Sequence, residues 1–411
     1  MVAAPEETAV PLSRSGLDPA LLLERGVAEI IVAEELRAKL ESGRVLRLKQ
    51  GFDPTRPELH LGHAVGLRKL RRFQALGHRV VLIVGDWTAQ IGDPSGRATQ
   101  RTMLSAEEVR ANAERYLEQF FQVVDRERTE VRWQSEWFGK FTLADVYELM
   151  ARFTVAQLLE REDFSRRFQA DQPIGLVELL YPLLQAYDSV AIRADVEFGG
   201  TDQKFNILTG RELQRMIGQP PQDVYLVKMI VGLDGATMSK TRGNYIGLAT
   251  PPNEMYGKLM SLADEVMPSY FESLTDVPTA EVEELFAAIA AGKLNPMAVK
   301  KRLAREIVSE FHSPEAAAEA EAEFERVFQR RERPTEVPEV TFAAARFPIE
   351  LADLVREAGF AASRSEAKRL IEQGAVDLDG KTHRNPREKL TPADGTLIKV
   401  GQARFRRVRV V

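Results

Sequence analysis

The stretch VLRLKQGFDPTRPELHLGHAVGLRKLRRFQALGHRVVLIV, residues 45–84, decides the fold. It opens on a short β-like run, Val45, Leu46 and Leu48, which the turn residues Gly51-Phe52-Asp53-Pro54 bring to an end. Apolar residues at Leu67, Leu70, Phe73 and Leu76 then recur at helical spacing, and Gly77 supplies the stop. Val80-Val81-Leu82-Ile83-Val84 is a continuous apolar run, the pattern of a parallel strand buried on both faces. Strand, helix and buried strand in this order predict a βαβ unit. The fold class is therefore α/β, a Rossmann-like doubly wound parallel sheet with its ligand at the carboxyl ends of the strands.

Working outward, helix–strand alternation continues to about Ile246. From Pro251 to Arg331 the pattern turns helical, with alanine- and glutamate-rich stretches such as Pro314 to Phe328. Arg333-Pro334-Thr335-Glu336-Val337-Pro338 is polar and proline-punctuated, which predicts a linker. In the last segment, Ser363-Arg364-Ser365-Glu366 has capping-box spacing and opens a helix that Gly374 closes, with short strand-like runs after it. The expected organisation is a Rossmann-like domain at 1–250, a helical domain at 251–332, a linker at 333–346 and a small α+β domain at 347–411.

At 411 residues, 44% apolar and 28% charged, the chain has the balance of a soluble globular protein. It has no cysteine, which excludes disulfides, a cysteine nucleophile and cysteine-ligated metal, and its five histidines argue against a histidine metal cage. No apolar run approaches the roughly 20 residues of a spanning helix. Met1 to Ser13 carries Glu6 and Glu7 without an apolar signal core, so a floppy start and a cytoplasmic location are expected. The net charge of −5 is unevenly spread: residues 346–411 hold 14 basic and 9 acidic side chains, a net of +5, and the rest of the chain a net of −10. A basic tail on an acidic body suits a polyanion partner, and equally a merely solvated face.

Two motifs carry chemistry. His60-Leu61-Gly62-His63 begins the predicted helix, where backbone N–H groups and the helix dipole favour an anion. Two imidazoles three residues apart share one face there and suit a nucleotide phosphate, while Gly62 leaves room for a flat base or ribose. A purely structural pair of histidines fits the same spacing, and a zinc pair would need further ligands. Thr237-Met238-Ser239-Lys240-Thr241 follows the run Val227 to Leu233 and the turn Asp234-Gly235. A mobile loop of small residues with one lysine suits neutralisation of a departing pyrophosphate. Gly380-Lys381-Thr382 ends like a phosphate-binding loop, but Ala375 stands where the first glycine belongs.

Taken together, the motifs resemble the class I aminoacyl-tRNA synthetases: His60 to His63 matches the first signature and Thr237 to Thr241 the second. Gly92-Asp93-Pro94-Ser95-Gly96-Arg97, Tyr181-Pro182-Leu183-Leu184-Gln185-Ala186-Tyr187-Asp188 and Gly199-Gly200-Thr201-Asp202-Gln203 resemble the tyrosyl-tRNA synthetase family in particular. The tail from Phe347 is similar to the S4-like RNA-binding module of its bacterial members. The resemblance implies a ligase that activates tyrosine with ATP, brought as its Mg2+ complex, to tyrosyl-adenylate and pyrophosphate. It then transfers tyrosine to the 3′ end of tRNA(Tyr). It implies a homodimer, no membrane and no protein-bound metal.

Residue by residue, the resemblance implies that Thr55, His60 and His63 face the phosphates, that Lys240 grips the pyrophosphate and that Arg97 and Arg101 form a basic pair on the other side. Asp53, Gly62, Met238 and Ser239 join the ATP site, and Gly200 and Asp202 meet the ribose. Asp93, Tyr181 and Gln185 hold the substrate ammonium, Gln203 the tyrosyl end, and Asp188 accepts the phenol O–H. In the basic tail, Arg364 and Lys368, four apart on one helix face, are the first tRNA contacts expected, with Arg384 and Arg387 next. Two positions depart from the family pattern: Lys49 stands where a tyrosine is common, and Thr237 replaces a lysine. The tryptophanyl sibling, and an RNA-binding protein on a degenerate nucleotide fold, are the rival readings. Trp133, Trp137 and Phe138 fit either a subunit interface or plain core.

Overall fold

A computed structural model describes residues 8–55, 58–94, 105–240, 242–329, 337–401 and 404–411. The chain divides into two compact units, Met1–Pro251 with Lys258–Phe311, and Pro252–Gly257 with His312–Val411.

The first unit is built on six strands: β1 (Val27–Ile31), β2 (Arg47–Phe52), β3 (Arg79–Val84), β4 (Thr129–Trp133), β5 (Val196–Gly200) and β6 (Asp223–Val227). Their order is β1-β6-β5-β2-β3-β4. Strands β2 to β6 pair in parallel, whereas β1 runs antiparallel on the edge beside β6, a departure from an all-parallel sheet. From β2 the chain winds one way through β3 and β4, and from β5 the other way through β6. The strand order therefore reverses between β2 and β5, which opens a crevice at their carboxyl ends.

The helix Leu61–Ala75 crosses from β2 to β3, burying Leu61, Val65, Leu67, Leu70 and Phe73. Gly77 ends it in a left-handed conformation at φ +96°, which glycine alone takes cheaply. Strand β2 runs further than the turn chemistry suggested. Gly51 and Phe52 stay in the ladder opposite Ile83 and Val84, because the Phe52 ring stacks on Tyr116 at 3.7 Å. The helices Met267–Leu274 and Pro296–Phe311 also belong to this unit, and Arg68 and Arg71 of the crossing helix each meet Glu310 at 2.6 Å. The described part of the N-terminal segment is pinned rather than floppy: Ala9 N–H donates to Gly43 O at 2.9 Å and Val10 N–H to Leu76 O at 2.7 Å.

The second unit carries β7 (Glu339–Phe342), β8 (Ile349–Glu350), β9 (Val376–Leu378), β10 (Lys381–His383), β11 (Lys389–Leu390), β12 (Leu397–Val400) and β13 (Arg404–Val410). Five of them form a sheet in the order β10-β9-β12-β13-β7. Leu351, Leu354, Val355, Ile371, Val376, Ile398, Val400 and Val408 fill its core. Ser363 caps the helix Arg364–Glu372 as the spacing predicts, its Oγ accepting from Glu366 N–H at 3.2 Å. The Glu366 carboxylate reaches back one residue further than a capping box would, to Ala362 N–H at 2.8 Å.

Candidate active site

At the carboxyl ends of β2 and β5 lies a cavity of about 450 Å³. Asp53, Thr55, His60, Gly62, His63, Asp93, Tyr181, Gln185, Asp188, Gly200, Asp202, Gln203, Met238, Ser239 and Lys240 all line it. Arg97 and Arg101 lie outside the described residues, as does Thr241.

The two signatures meet through backbone. Leu61 N–H donates to Ile246 O and Leu248 N–H to Leu59 O, both at 2.9 Å, so the segment after the second motif is stitched to the helix start. His60 is the N-cap residue, and its own N–H donates to Nδ1 of His63 at 3.2 Å. That bond places the His63 proton on Nε2. The two rings lie 3.9 Å apart at 52°. Burial, and behind it Lys240, lowers His60 to about 3; burial, His60 and Lys240 hold His63 well below the usual imidazole value. At neutral pH both are uncharged hydrogen-bonding groups. A Cβ on Gly62 would come within 2.9 Å of the His60 ring, so any other residue would push that ring aside.

Lys240 reaches over the Tyr116 ring at 5.8 Å. The loop that carries it is tied by Asn244, a residue that no motif singled out. Asn244 is 5% exposed; its Oδ1 accepts Ser239 N–H at 2.8 Å, and its Nδ2 donates to Asp234 Oδ1 at 2.5 Å and to Ala236 O and Thr237 O at 3.2 Å.

The helix Leu176–Ile192 presents Tyr181, Gln185 and Asp188 to the cavity floor. Tyr181 donates its hydroxyl to Asp53 Oδ2 at 2.8 Å, joining two residues expected on different substrates. From there one polar chain runs around the wall: Thr88 Oγ1 donates to Asp53 Oδ1 at 2.7 Å, Thr88 N–H to Gln134 Oε1 at 3.0 Å, and Gln134 Nε2 to Asp188 Oδ2 at 2.8 Å. A second chain runs Arg161 to Asp93 (3.0 Å), Gln203 to Asp93 (2.7 Å), Asn206 to both Gln203 (3.1 Å) and Gln185 (2.9 Å), and Gln185 to Glu197 (3.1 Å).

Asp188 is 2% exposed, and its second oxygen accepts Trp137 Nε1–H at 3.2 Å. Burial pushes its carboxyl up to about 7, against the pull of Lys49 and the bonds from Gln134 and Trp137, with Glu197 adding to the rise. Trp137 and Phe138 are thus core, 9% and 2% exposed, packed with Val81 and Ile83. Thr88, Tyr116 and Gln134 escaped sequence reading. Gln134 alone had a signal, a polar residue just past the carboxyl end of β4, where ligands gather in such sheets. Among the described residues, no three His, Cys, Asp or Glu side chains cluster as a metal cage.

A parallel-rich sheet with both signatures converging at its reversal point defines a class I synthetase catalytic unit. The family model of the class I tRNA synthetases (W and Y) matches residues 41–329, and that of the S4 domain matches 351–395. The chain belongs to this family of class I tRNA synthetases. Among its relatives, the tyrosine–tRNA ligase of Dehalococcoides mccartyi is 54% identical over 385 residues, spanning 93% of this chain and 96% of that one. Those of Moorella thermoacetica and Thermotoga maritima are 51% and 49% identical, spanning 94% of this chain and 94% and 96% of theirs. The same fold recurs in the tyrosyl-tRNA synthetase of Archaeoglobus fulgidus complexed with L-tyrosine, with TM-score 0.60, 23% identity, and 74% and 98% of the two chains covered.

Proposed function

We propose that this chain is a tyrosine–tRNA ligase, which makes tyrosyl-adenylate and pyrophosphate from tyrosine and ATP and then esterifies tRNA(Tyr). The observation that carries the reading is a single cavity with neutral imidazoles and Lys240 at its signature end and the buried, neutrally bonded Asp188 on its floor. Asp93, the Tyr181 oxygen and Gln185 receive the ammonium, and Asp188 accepts the phenol O–H. The tyrosine carboxylate attacks the α-phosphorus of ATP and pyrophosphate leaves, so no side-chain nucleophile is required; alignment and charge neutralisation do the work. Thr55, His60 and His63 donate to the phosphates, Lys240 and the Arg97/Arg101 pair neutralise the leaving group, and Gly200 and Asp202 meet the ribose. Magnesium arrives on the triphosphate as part of the substrate.

The S4 module at 351–395 supports tRNA binding by the tail. Arg364 is engaged by Glu350 and, at 3.5 Å, by Asp353, so Lys368, Arg384 and Arg387 are the stronger phosphate contacts. A homodimer is supported by an exposed apolar face: Leu143, Tyr147 and Met150 on one side of the helix Leu143–Met150, with Val155, Phe168 and Leu176. Among the described residues no helix is long and apolar enough to cross a membrane. A cytoplasmic location is part of the proposal and is supported by the role in tRNA charging. The test is exchange of labelled pyrophosphate into ATP. Dependence on tyrosine supports the reading; dependence on tryptophan, or no exchange, refutes it.

A further inference from the structure

Lys49 is completely buried yet lies behind the cavity wall rather than in it. In the short β2–β5 ladder it is the register partner of Glu197, so both side chains stand on one face, towards the helix Leu176–Ile192. Its Nζ lies 2.9 Å from Glu197 Oε1 and also donates to Gln185 O at 2.7 Å and Ser189 Oγ at 2.8 Å. These are the residues on either side of Asp188 along that helix. Glu197 Oε2 in turn accepts from Ser189 Oγ at 3.0 Å and Gln222 Nε2 at 2.5 Å. A buried ion pair is a poor source of stability, since two well-packed apolar side chains serve a core as well or better. Lys49 lies behind the wall while Glu197 reaches the cavity itself, and such a pair beside a substrate-facing carboxylate calls for another reason.

We propose that Lys49 is a positioning residue for tyrosine selection: paired with Glu197, it holds the turn that presents Asp188 and sets that carboxylate's charge. The proposal rests on Asp188 as the acceptor of the phenol. The charged groups facing Asp188 from the sheet are Lys49 and Glu197, of opposite sign. From the β4 side come the neutral Gln134 and Trp137, with Arg132 beyond the indole at 5.8 Å and ion-paired to Glu136 at 2.7 Å. From its own helix come the neutral Gln185 and Ser189. The cation and the anion of one pair therefore act on Asp188 in opposite directions, and the direction agrees with the pull of Lys49 and the push of Glu197 on its proton. Losing the phenol costs an ionised carboxylate more than a neutral carboxyl, because an unsatisfied buried charge is penalised more than an unsatisfied neutral group, so discrimination follows the charge of Asp188.

The experiment is the tyrosine/phenylalanine ratio of kcat/KM for pyrophosphate exchange, measured from about pH 5.5 to 10 on the full-length chain. In the unmodified protein the ratio rises with pH through the Asp188 titration. Lys49→Met moves that midpoint up by about one to three pH units, as loss of a close opposite charge does, and Glu197→Gln moves it down. The double variant, which leaves no unpaired buried charge, returns it to a value between the two. Should Lys49→Met fail to fold, Glu197→Gln and the double variant still decide the matter. Singles that lower activity without moving the midpoint, or that move it the same way, reduce Lys49 to a packing role and overturn the proposal. Asp188→Asn separates the two layers: if the native midpoint persists in it, the reading of Asp188 itself fails.

Discussion

Replacing Asn244 by alanine removes a buried side chain that ties the Lys240 loop at several points. Three interactions are at stake: the acceptor for Ser239 N–H at 2.8 Å, a charge-assisted bond to Asp234 at 2.5 Å, and a shared donor to two carbonyls at 3.2 Å. The two neutral sets of bonds contribute about 1 kcal/mol each net, whereas the bond to the solvent-exposed Asp234 adds little. Water entering the vacated space recovers part of this, which leaves about 1–2 kcal/mol of loop order. If the loop must be ordered for Lys240 to meet the leaving pyrophosphate, that becomes roughly a 5- to 30-fold slower activation. Rapid-quench measurement of tyrosyl-adenylate formation reads the rate, and a fluorescence titration with tyrosine confirms that the floor of the site is intact. Asn244→Asp sharpens the test: it keeps the acceptor for Ser239 N–H but sets a carboxylate against Asp234, and it should be no better than alanine. Activation within threefold of the unmodified rate in Asn244→Ala refutes the argument.

Lys240→Ala should lower kcat for activation by roughly 10²-fold or more with tyrosine affinity unchanged, because the cation acts mainly in the transition state; a few-fold effect in the same assay removes it from that role. His78 is 1% exposed, accepts Leu46 N–H on Nδ1 at 3.2 Å, and is lowered by burial to about 4. In the unfolded chain it takes a proton below about pH 6.5 while the folded one does not, so the stability tied to it falls with pH, by about 2 kcal/mol between pH 6.5 and 5. Urea denaturation of His78→Asn at both pH values should show a smaller acid loss than the unmodified chain, and equal losses would exclude this assignment. Deleting residues 337–411 should leave adenylate formation near normal while tRNA charging collapses at ordinary tRNA concentrations; parallel losses of both would contradict RNA binding by the tail. Leu143→Asp with Tyr147→Asp should convert a dimer to monomers in sedimentation equilibrium, and an unchanged mass would place the interface elsewhere.

The central βαβ unit was legible because its residues have little choice. Val80 to Val84 suits nothing so well as an interior strand, and Gly77 marks the one place where the preceding helix can stop. The two signatures were legible as chemistry, but not as neighbours: only the backbone pairing of Leu59 and Leu61 with Ile246 and Leu248 brings them to one mouth. What stayed hidden depends on partners remote in sequence. Phe52 extends β2 because Tyr116 waits to stack on it. Lys49 read only as a departure from a common tyrosine, and its partner, Glu197 in the adjacent strand, could not be seen from the sequence. The ion pairs of Arg364 with Glu350 and Asp353, remote in sequence, were not visible from its place on the helix. The stretch 339–342, expected within a linker, is strand β7 because β13 offers it a parallel edge, with Val408 opposite Val340.

The two polar chains around the cavity act as a caliper. Asp93 and Asp188, the carboxylates assigned to the two ends of the amino acid, are each clamped by donors from other elements: Arg161 and Gln203 on one, Gln134 and Trp137 on the other. Gln185 and Glu197 brace one jaw against β5, and Asp53 and Thr88 brace the other against the end of β2. A rotamer change at either carboxylate breaks two hydrogen bonds at once, both buried at Asp188 and part-buried at Asp93. On the proposed assignment of Asp93 and Asp188 to the two ends of the substrate, the wall would also select by length: an amino acid whose ring sits one methylene nearer or farther would abandon one jaw, whether or not it carries a hydroxyl.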